Sequence, residues 1–308
     1  MKIDVLCLGE ALIEFNQLPD GTNNTFRSGF GGDTSNTAIS VSRQGMSAGF
    51  LSKIGKDQFG RELLKLWQRE NVDYSNVSIH PEAPTGIYFV THDADGHHFT
   101  YYRKGSAASQ MTPMDLPTDD LSQVRILHLS AITQAISSSS CETAFAAIHQ
   151  ARKHGVNISY DTNFRLKLWS LECGRDIINR TVPLCEVVMP SLDDASSLTG
   201  LIDPEAITDH YLELGAKLVV LKQGNRGVRV SDGKDNLHIP GHKVKAIDAT
   251  GAGDTFDGAF LTEWLRSNDP FASATYANAA AALSTTNYGA VDSIPNRNEV
   301  AKYLGIST

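Results

Sequence analysis

A short segment in the last quarter of the chain combines glycines with a carboxylate in a pattern that suits an anionic ligand. The sequence Asp248-Ala-Thr-Gly-Ala-Gly-Asp254 follows a strand-like lead, and a helical pattern of apolar residues begins directly after it. Gly251, Ala252 and Gly253 leave backbone N–H groups free at a helix N-terminus, which is an anion-binding arrangement. Asp254 could accept a hydroxyl proton beside that anion, as phosphoryl transfer requires. The alternative is a helix opened by glycines, with Asp254 complementing its dipole.

A second glycine-rich segment, Gly29-Phe-Gly-Gly-Asp-Thr-Ser-Asn36, precedes another stretch of helical periodicity. Gly31 and Gly32 permit close approach of the backbone, while Asp33 and Asn36 can hydrogen-bond a ligand rich in hydroxyl groups. The same residues would also suit a flexible connection into a capped helix. The segment is therefore a candidate binding site for a polyhydroxylated ligand.

Residues 85–104 consist of two β-rich runs around Asp93-Ala-Asp-Gly96, which is a strong hairpin signal whether its loop has two or four residues. Cross-strand pairing fixes the parity of positions, and Tyr102 therefore faces away from the other aromatic and basic residues. The opposite face of the hairpin carries Tyr88, Phe99, Tyr101 and Arg103. Residues 13–27 hold a Pro-Asp-Gly turn between extended pieces, and we expect both segments to form a small sheet, a lid. An ordinary edge hairpin with solvated tyrosines is the alternative.

Strand-length apolar runs alternate with longer stretches of helical periodicity along the rest of the chain. The strand-like runs are residues 4–8, 48–54, 125–130, 156–160, 186–189 and 217–221, and the helical stretches include 33–43, 60–70 and 142–154. This alternation predicts an α/β fold with a mainly parallel sheet covered by helices on both faces. We assign residues 1–12, 28–84 and 105–308 to this α/β domain, and residues 13–27 and 85–104 to the lid.

Composition excludes several classes of function. The 308 residues carry a net charge of −8, which argues against a nucleic-acid partner because such a partner requires a basic surface. The four cysteines are scattered without a Cys-x-x-Cys pair, which excludes a disulfide scaffold and the usual zinc spacings. No apolar run approaches the roughly 18 residues of a membrane span. The N-terminal stretch is a poor signal peptide, and we expect a cytoplasmic protein without a membrane partner.

Other phosphate-binding motifs are absent from the sequence. There is no Gly-x-x-x-x-Gly-Lys-Ser/Thr segment, which excludes a P-loop enzyme. No Gly-x-Gly-x-x-Gly segment follows the first strand, which removes the main support for dinucleotide binding.

The two glycine-rich segments together resemble a known family. Gly31-Gly32-Asp33-Thr34-Ser35-Asn36 and the later Asp248–Asp254 segment, far apart and in that order, resemble the two signatures of the ribokinase-like, PfkB-type carbohydrate kinases. The resemblance covers essentially the whole chain, including the lid. It implies a parallel α/β sheet with a small β lid, and transfer of the γ-phosphoryl group of ATP to a sugar hydroxyl with Mg²⁺.

The resemblance also implies roles for individual residues. Asp254 would be the general base, and Gly251, Ala252 and Gly253 the anion hole. The nucleotide site would comprise Asn163, Arg165, Ser191, Lys222, Gly224, Asn225, Gly227, Gly251 and Gly253. Mg²⁺ would be held through the nucleotide and water without a direct protein ligand, although Asp194 is a candidate. Two departures affect this site: Ala249 replaces the usual Thr or Ser, and Ser191-Leu-Asp-Asp194 replaces the usual Asn-x-x-Glu.

Three stretches are similar to those of family members that phosphorylate 2-keto-3-deoxygluconate: residues 32–37, 101–107 and 161–169. This substrate carries a carboxylate, which Arg103 on the lid could bind by charge-assisted hydrogen bonds. Arg165, just after a strand, could serve the carboxylate or the transferring phosphate. The sugar-acid site is thus expected at Gly31, Gly32, Asp33, Asn36, Tyr88, Tyr101, Arg103, Arg165 and Asp254. The resemblance also implies that Asp292 contacts substrate hydroxyls.

Three alternatives remain at this point. Each arginine could instead form a surface salt bridge. The protein could be a neutral-sugar kinase such as a fructokinase, which would not need a carboxylate on its acceptor. It could also be a non-catalytic metabolite-binding protein, although such a protein has no use for a general base at Asp254. Because the lid would have exposed strand edges, we also expect a homo-oligomer that pairs through it.

Overall fold

The computed structural model describes residues 3–18, 25–93, 96–117 and 120–306. The strands in these residues are β1 (Ile3–Leu8), β2 (Leu12–Gln17), β3 (Phe26–Gly31), β4 (Ala48–Gly55), β5 (Val72–Asp73), β6 (Val77–His80), β7 (Ile87–Asp93), β8 (Gly96–Tyr102), β9 (Val124–Ser130), β10 (Asn157–Asp161), β11 (Val187–Val188), β12 (Leu218–Lys222), β13 (Gly227–Ser231) and β14 (Asn236–Pro240). The α-helices are α1 (Asp33–Arg43), α2 (Gln58–Arg69), α3 (Ala131–Ala135), α4 (Ser138–Lys153), α5 (Leu171–Thr181), α6 (Leu192–Thr199), α7 (Pro204–Glu213), α8 (Ala252–Ser267), α9 (Pro270–Ser284) and α10 (Arg297–Leu304).

The large sheet has the strand order β14-β13-β12-β11-β10-β9-β1-β4-β5, with β6 also paired to β4. Within the described residues it is parallel from β12 to β5, whereas β13 pairs antiparallel with both β12 and β14. Both faces of the sheet are covered. In β1, Val5 and Cys7 pack into one core with α1, α8 and α9, while Leu6 and Leu8 pack into another with α4 and α7. The predicted α/β class is confirmed.

The small sheet has the order β3-β2-β7-β8 and stands apart from the large one. Tyr88 pairs directly with Tyr101 and their rings stack at 5.4 Å, which confirms the predicted shared face of the hairpin. Asp93 pairs with Gly96, which corresponds to the shorter of the two expected loops. The predicted turn at residues 19–21 lies outside the described residues.

The boundary between the lid and the large domain differs from the prediction at residue 12 and at residues 28–31. Strand β3 continues to Gly31, which pairs with Leu12, so that residues 28–31 belong to the small sheet. The physical reason is that β2 extends back to Leu12 and offers β3 a partner along its whole length. As a result, the small sheet leads directly into α1 at Asp33. None of the helices in the described part of the chain has both the length and the apolar character that a membrane span requires.

Candidate active site

The turn before α8 exposes backbone donors at a helix N-terminus. Gly251 adopts the left-handed conformation with φ of 75°, and a side chain there would come within 2.9 Å of the Ala290 carbonyl oxygen. This close approach and the positive φ both require glycine. Within the described residues, the N–H groups of Gly251, Gly253 and Asp254 donate no hydrogen bond to the protein. These three donors are therefore available to an anion.

Ala252 differs from its neighbours in this turn. Its N–H donates to the carbonyl oxygen of Ala249 at 3.2 Å, so it is already committed within the turn. Of the donors predicted for an anion, Gly251 and Gly253 therefore remain free among the described residues, and the N–H of Asp254 takes the place of that of Ala252. Because Ala249 contributes through its backbone, the loss of the usual hydroxyl at this position leaves the turn intact.

Asp254 lies in the first turn of α8, where Asn36 of α1 donates a hydrogen bond from Nδ2 to its carboxylate at 2.8 Å. Burial and the negative charge of Asp33 raise the pKa of Asp254 to about 7, against the lowering effect of this hydrogen bond. A carboxylate with such a pKa is suited to accept a proton near neutral pH. The Oδ1 atom of Asn36 is buried with no partner among the described residues, which leaves an acceptor free beside Asp254.

Asp33 begins α1 and is held on two sides. Ser130, at the end of β9, and Asn163, just after β10, both donate to its Oδ2 atom, the latter at 3.3 Å. Burial raises the pKa of Asp33. Asn163 was expected at the nucleotide, yet it is buried and its amide contacts Asp33. In this structure it supports the part of the site predicted for sugar hydroxyls.

Gly31 and Gly32 are packed against other parts of the protein, which leave no space for a side chain at either position. A methyl group on Gly31 would come within 2.7 Å of Cε1 of Tyr88, and one on Gly32, with φ of 112°, within 2.7 Å of the Ala11 backbone. The close approach expected at these glycines is thus made by the lid tyrosine and by the chain between β1 and β2. Both residues shape the site through these contacts.

The lid face differs in how its two tyrosines are bonded. Tyr88 is buried, and its hydroxyl donates to the carboxylate of Glu14, whose pKa is raised by burial. Tyr101 is 42% exposed. Its hydroxyl has no partner among the described residues, so it is free to donate to a ligand. Burial is the main cause that raises the pKa of Tyr88 and of Tyr101; the charge of Asp254 also raises that of Tyr88, whereas the charges of Arg103 and Arg165 act to lower that of Tyr101.

Arg103 forms a two-point ion pair that the sequence did not indicate. Its Nε and Nη2 atoms lie 2.6 and 2.5 Å from Oε2 of Glu10, whose other oxygen accepts from Ser106. The side chain of Arg103 is only 10% exposed and that of Glu10 only 1%. The edge of the guanidinium that carries Nη1 makes no hydrogen bond within the described residues. Arg103 is therefore fixed by Glu10 and retains one edge for a ligand.

Arg165, which follows β10, forms an ion pair with Asp194 in the first turn of α6. Arg165 Nη1 is 3.5 Å from Asp194 Oδ2 and donates to the carbonyl oxygen of Phe164 at 2.8 Å. Asp194 also accepts from the Phe164 N–H at 3.2 Å, and burial raises its pKa. Ser191 caps α6 by accepting from the Asp194 N–H. The acid of the altered Ser191-Leu-Asp-Asp194 segment is therefore kept near the edge of the sheet.

Lys222 ends β12 and pairs with Ser191 in an isolated parallel bridge. A methyl group on Gly253 would lie 3.7 Å from its Nζ atom, so the ammonium group is beside the anion-binding turn. Gly224 and Asn225 form a short 3-10 turn after it. Gly227, with φ of 98°, begins β13, where a side chain would overlap the backbone of β14.

Asp292 lies on the surface. Its carboxylate is 3.5 Å from Nη2 of Arg27 on β3, and both side chains are more than 60% exposed. This pair connects the lid to the large domain. The structure therefore gives Asp292 a partner of its own, where the sequence suggested a contact with substrate hydroxyls.

The sequence-based reasoning missed four carboxylates: Glu10, Glu14, Asp161 and Asp257. Asp257 lies one helical turn after Asp254, and Asp161 ends a parallel strand, so spacing could have indicated both. Nothing local indicates Glu10 or Glu14, because their partners are distant in sequence. The described residues contain no group of three or more His, Cys, Asp or Glu side chains arranged to hold a metal ion.

Comparison with known proteins agrees with this geometry. Residues 2–297 match the pfkB family carbohydrate kinases. The chain belongs to this family. It is 32% identical to a 2-dehydro-3-deoxygluconokinase of Bacillus subtilis over 99% of this chain and 96% of that protein. It is also 32% identical to fructokinase-1 of Zea mays over 97% of each chain.

A solved structure shows the fold of this kinase family with its nucleotide. An E. coli protein assigned as a ribokinase II, crystallised with ATP and Mg²⁺, superimposes with a TM-score of 0.90 at 25% identity and covers 98% of this chain and 99% of its own. The chain is thus a phosphotransferase of the carbohydrate kinase family, and ATP is its supported cosubstrate. Of the two curated relatives named above, one is a kinase of a sugar acid and the other a kinase of a neutral sugar.

Proposed function

We propose that this kinase transfers the γ-phosphoryl group of ATP to the primary hydroxyl of 2-keto-3-deoxygluconate, which is the acceptor of a 2-dehydro-3-deoxygluconokinase. The observation that carries the proposal is the position of Arg103. Its guanidinium is fixed by Glu10, leaves one edge free, and lies close enough to Asp33 for its charge to lower the pKa of that carboxyl. A neutral sugar offers no group that needs such a cation.

The chemistry depends on the first turn of α8. Asp254 accepts the proton of the acceptor hydroxyl as that oxygen bonds to the γ-phosphorus, and ADP leaves with the bridging oxygen. Asn36 orients the carboxylate through its 2.8 Å hydrogen bond. The N–H groups of Gly251, Gly253 and Asp254 stabilise the charge that spreads over the transferring group. Such a base contributes about 10²–10⁴ in rate.

The acid end of the substrate binds to the lid. Arg103 would donate two hydrogen bonds from its free edge to the carboxylate, and Tyr101 a third from its hydroxyl. The Tyr88 hydroxyl donates a hydrogen bond to Glu14, so that the Tyr88 oxygen would accept a hydrogen bond from a substrate hydroxyl. Asp33 and the free Oδ1 atom of Asn36 would bind further hydroxyls. Closure of the lid over these contacts excludes water and prevents ATP hydrolysis.

The nucleotide would lie along the edge formed by Ser191, Lys222, Gly224, Asn225 and Gly227, with its phosphates at the turn before α8. Mg²⁺ neutralises phosphate charge in such transfers. Asp194 is the acidic side chain that fits this ion, because its Oδ1 atom has no hydrogen bond in the described residues. Its other oxygen is committed to the Phe164 N–H, which favours contact through water.

A fructokinase activity is the second candidate, and one observation favours it. Glu10 balances the charge of Arg103, so the pair as a whole offers a carboxylate less attraction than a free arginine would. The 32% identity to a maize fructokinase equals that to the bacterial sugar-acid kinase. We further propose that the protein works in the cytoplasm, where ATP is supplied, and that it forms homo-oligomers through the exposed edges of the lid.

Measuring ADP release with ATP and Mg²⁺ tests the proposal, with 2-keto-3-deoxygluconate, fructose and ribose as acceptors. We expect kcat/KM for the sugar acid to exceed those for the neutral sugars by about 100-fold, equivalent to about 2.7 kcal/mol. A preference for fructose would leave the base and the anion hole in place and establish the second candidate instead.

A further inference from the structure

Lys222 lies between two buried carboxylates at the edge of the site. Its Nζ atom is 3.0 Å from Oδ2 of Asp161 and 2.9 and 3.1 Å from the two oxygens of Asp257. The side chain of Lys222 is 12% exposed, that of Asp161 is 7% exposed and that of Asp257 is 1% exposed. All three ammonium hydrogens thus have acceptors. We name these three residues the lysine triad.

The fold brings the triad together from three elements that also carry the site. Asp161 ends β10 and Lys222 ends β12, on the same edge of the parallel sheet. Asp257 lies on α8 one turn after Asp254, so both carboxylates belong to the N-terminal part of the same helix. A methyl group on Gly253 would be 3.7 Å from the ammonium nitrogen, which places Lys222 beside the turn that carries the exposed donors.

The ammonium group keeps its charge in this position. Burial alone would lower the pKa of Lys222, but the charges of Asp161 and Asp257 outweigh it and raise that pKa. Burial raises the pKa of Asp257. Burial also acts to raise the pKa of Asp161, but the charge of Lys222 and the hydrogen bonds to this carboxylate together lower it. The lysine triad therefore favours a charged Lys222 and an ionised Asp161, whereas burial opposes ionisation of Asp257.

We propose that Lys222 is a fixed positive charge behind the phosphate turn and that Asp161 and Asp257 are the positioning residues that hold it there. The proposal rests on the proposed function in that ATP places its phosphates at this turn. Stability alone does not account for the triad, since apolar residues of similar volume usually serve a core as well as a buried ion pair does. A charge beside anion donors strengthens their interaction with phosphate because the surroundings exclude water.

The same charge acts on Asp254. The groups that face this carboxylate are Asp33 on α1, Asp161 on β10, Lys222 on β12 and the Tyr88 hydroxyl on the lid, in addition to Asn36. Lys222 favours the ionised form of Asp254, while Asp33 and Asp161 oppose it. Removal of Lys222 and removal of the Asp161 charge should therefore shift the acid limb of the rate profile in opposite directions.

Calorimetric binding of ATP with Mg²⁺, compared with binding of adenosine, tests the proposal without any sugar. For Lys222→Met we expect about tenfold weaker ATP binding and unchanged adenosine binding, because adenosine carries no phosphate. Lys53→Met is the matched control, since Lys53 is similarly buried and pairs with Asp115 at 2.7 Å, without a hydrogen bond to the site. It should bind both probes like the wild type.

Lys222→Met leaves two carboxylates unpaired in the core and could fail to fold. The double variant Lys222→Met/Asp161→Asn removes Lys222 and one of its carboxylates together. It should still bind ATP more weakly than the wild type with adenosine binding unchanged, but the loss should be smaller than in Lys222→Met because the repulsive charge of Asp161 is also removed. In kcat/KM profiles, Lys222→Met should move the acid limb to higher pH and Asp161→Asn to lower pH. A structural role would move both in the same direction or neither.

ATP affinity unchanged in the folded variants would overturn the proposal, as would equal weakening of ATP and adenosine. Neither result affects the assignment of Asp254, because the nucleotide assay does not use the acceptor. Failure of the wild-type protein to bind ATP would overturn the proposed function and this proposal together.

Discussion

The turn before α8 and the face of the lid meet at one site but are built in different ways. The turn is local: Gly251, Gly253 and Asp254 are neighbours in sequence, and their donors follow from the start of one helix. The lid face is assembled over long distances, because Arg103 depends on Glu10, 93 residues away. The comparison shows that the donors of the turn come from one short segment, whereas the charged face of the lid depends on pairs of side chains from distant segments.

The largest effect is expected from Asp254→Asn, which tests the turn without touching the lid. Turnover should fall by about 10²–10⁴ because the acceptor proton then has no base. Binding of ATP should remain, since the N–H donors are unchanged. ADP release measures turnover and calorimetry measures ATP binding. Asp209→Asn, at an exposed position of α7, is the control. Retained turnover would remove Asp254 as the base.

Gly31→Ala disturbs the lid and leaves the turn intact. The added methyl group would come within 2.7 Å of the Tyr88 ring, so the ring must move. We expect KM for the acceptor to rise by roughly tenfold with little change in kcat, since the contact with substrate and not the base is altered. Gly29→Ala, on the same strand, meets Glu14 only at 3.4 Å and should change KM much less. Equal effects of both variants would show that Tyr88 does not need its position.

The pH dependence connects the two regions through Asp254. Because its pKa is raised to about 7 and the base must be ionised, kcat/KM should fall as pH drops through about 7. Asp33→Asn removes a charge that raises this pKa, and the acid limb should move to lower pH. Because Asp33 is also expected to bind substrate, the variant could lower the maximum of kcat/KM. The pH of the acid limb is therefore compared between the two proteins, independently of that maximum. An acid limb that stays in place would indicate that the two carboxylates are not coupled.

The smallest effect is expected from Asp292→Asn. The pair with Arg27 is more than 60% exposed on both sides, and such pairs contribute about 0–1 kcal/mol. KM for the acceptor should change by twofold or less, measured at a saturating ATP concentration. A tenfold increase would assign Asp292 to the substrate hydroxyls, as the family resemblance implied, and would extend the substrate site beyond the lid face.

The sequence allowed prediction of the fold and of the turn because both depend on local patterns. Alternating strands and helices predicted the α/β sheet, and parity placed Tyr88 with Tyr101. It did not reveal that Ala252 uses its own N–H within the turn, because this depends on the tightness of one backbone bend. It also did not reveal Glu10 beside Arg103 or Asp161 beside Lys222, since those pairs form only when distant strands meet.

The most direct test of the account is the acceptor preference of Arg103→Met/Glu10→Gln compared with the wild type. The double variant removes the buried charges as a pair, so that neither partner is left uncompensated. We predict that the ratio of kcat/KM for 2-keto-3-deoxygluconate to that for fructose falls at least tenfold, while the value for fructose itself changes little. An unchanged ratio would contradict the account, because Arg103 would then have no part in selecting a sugar acid.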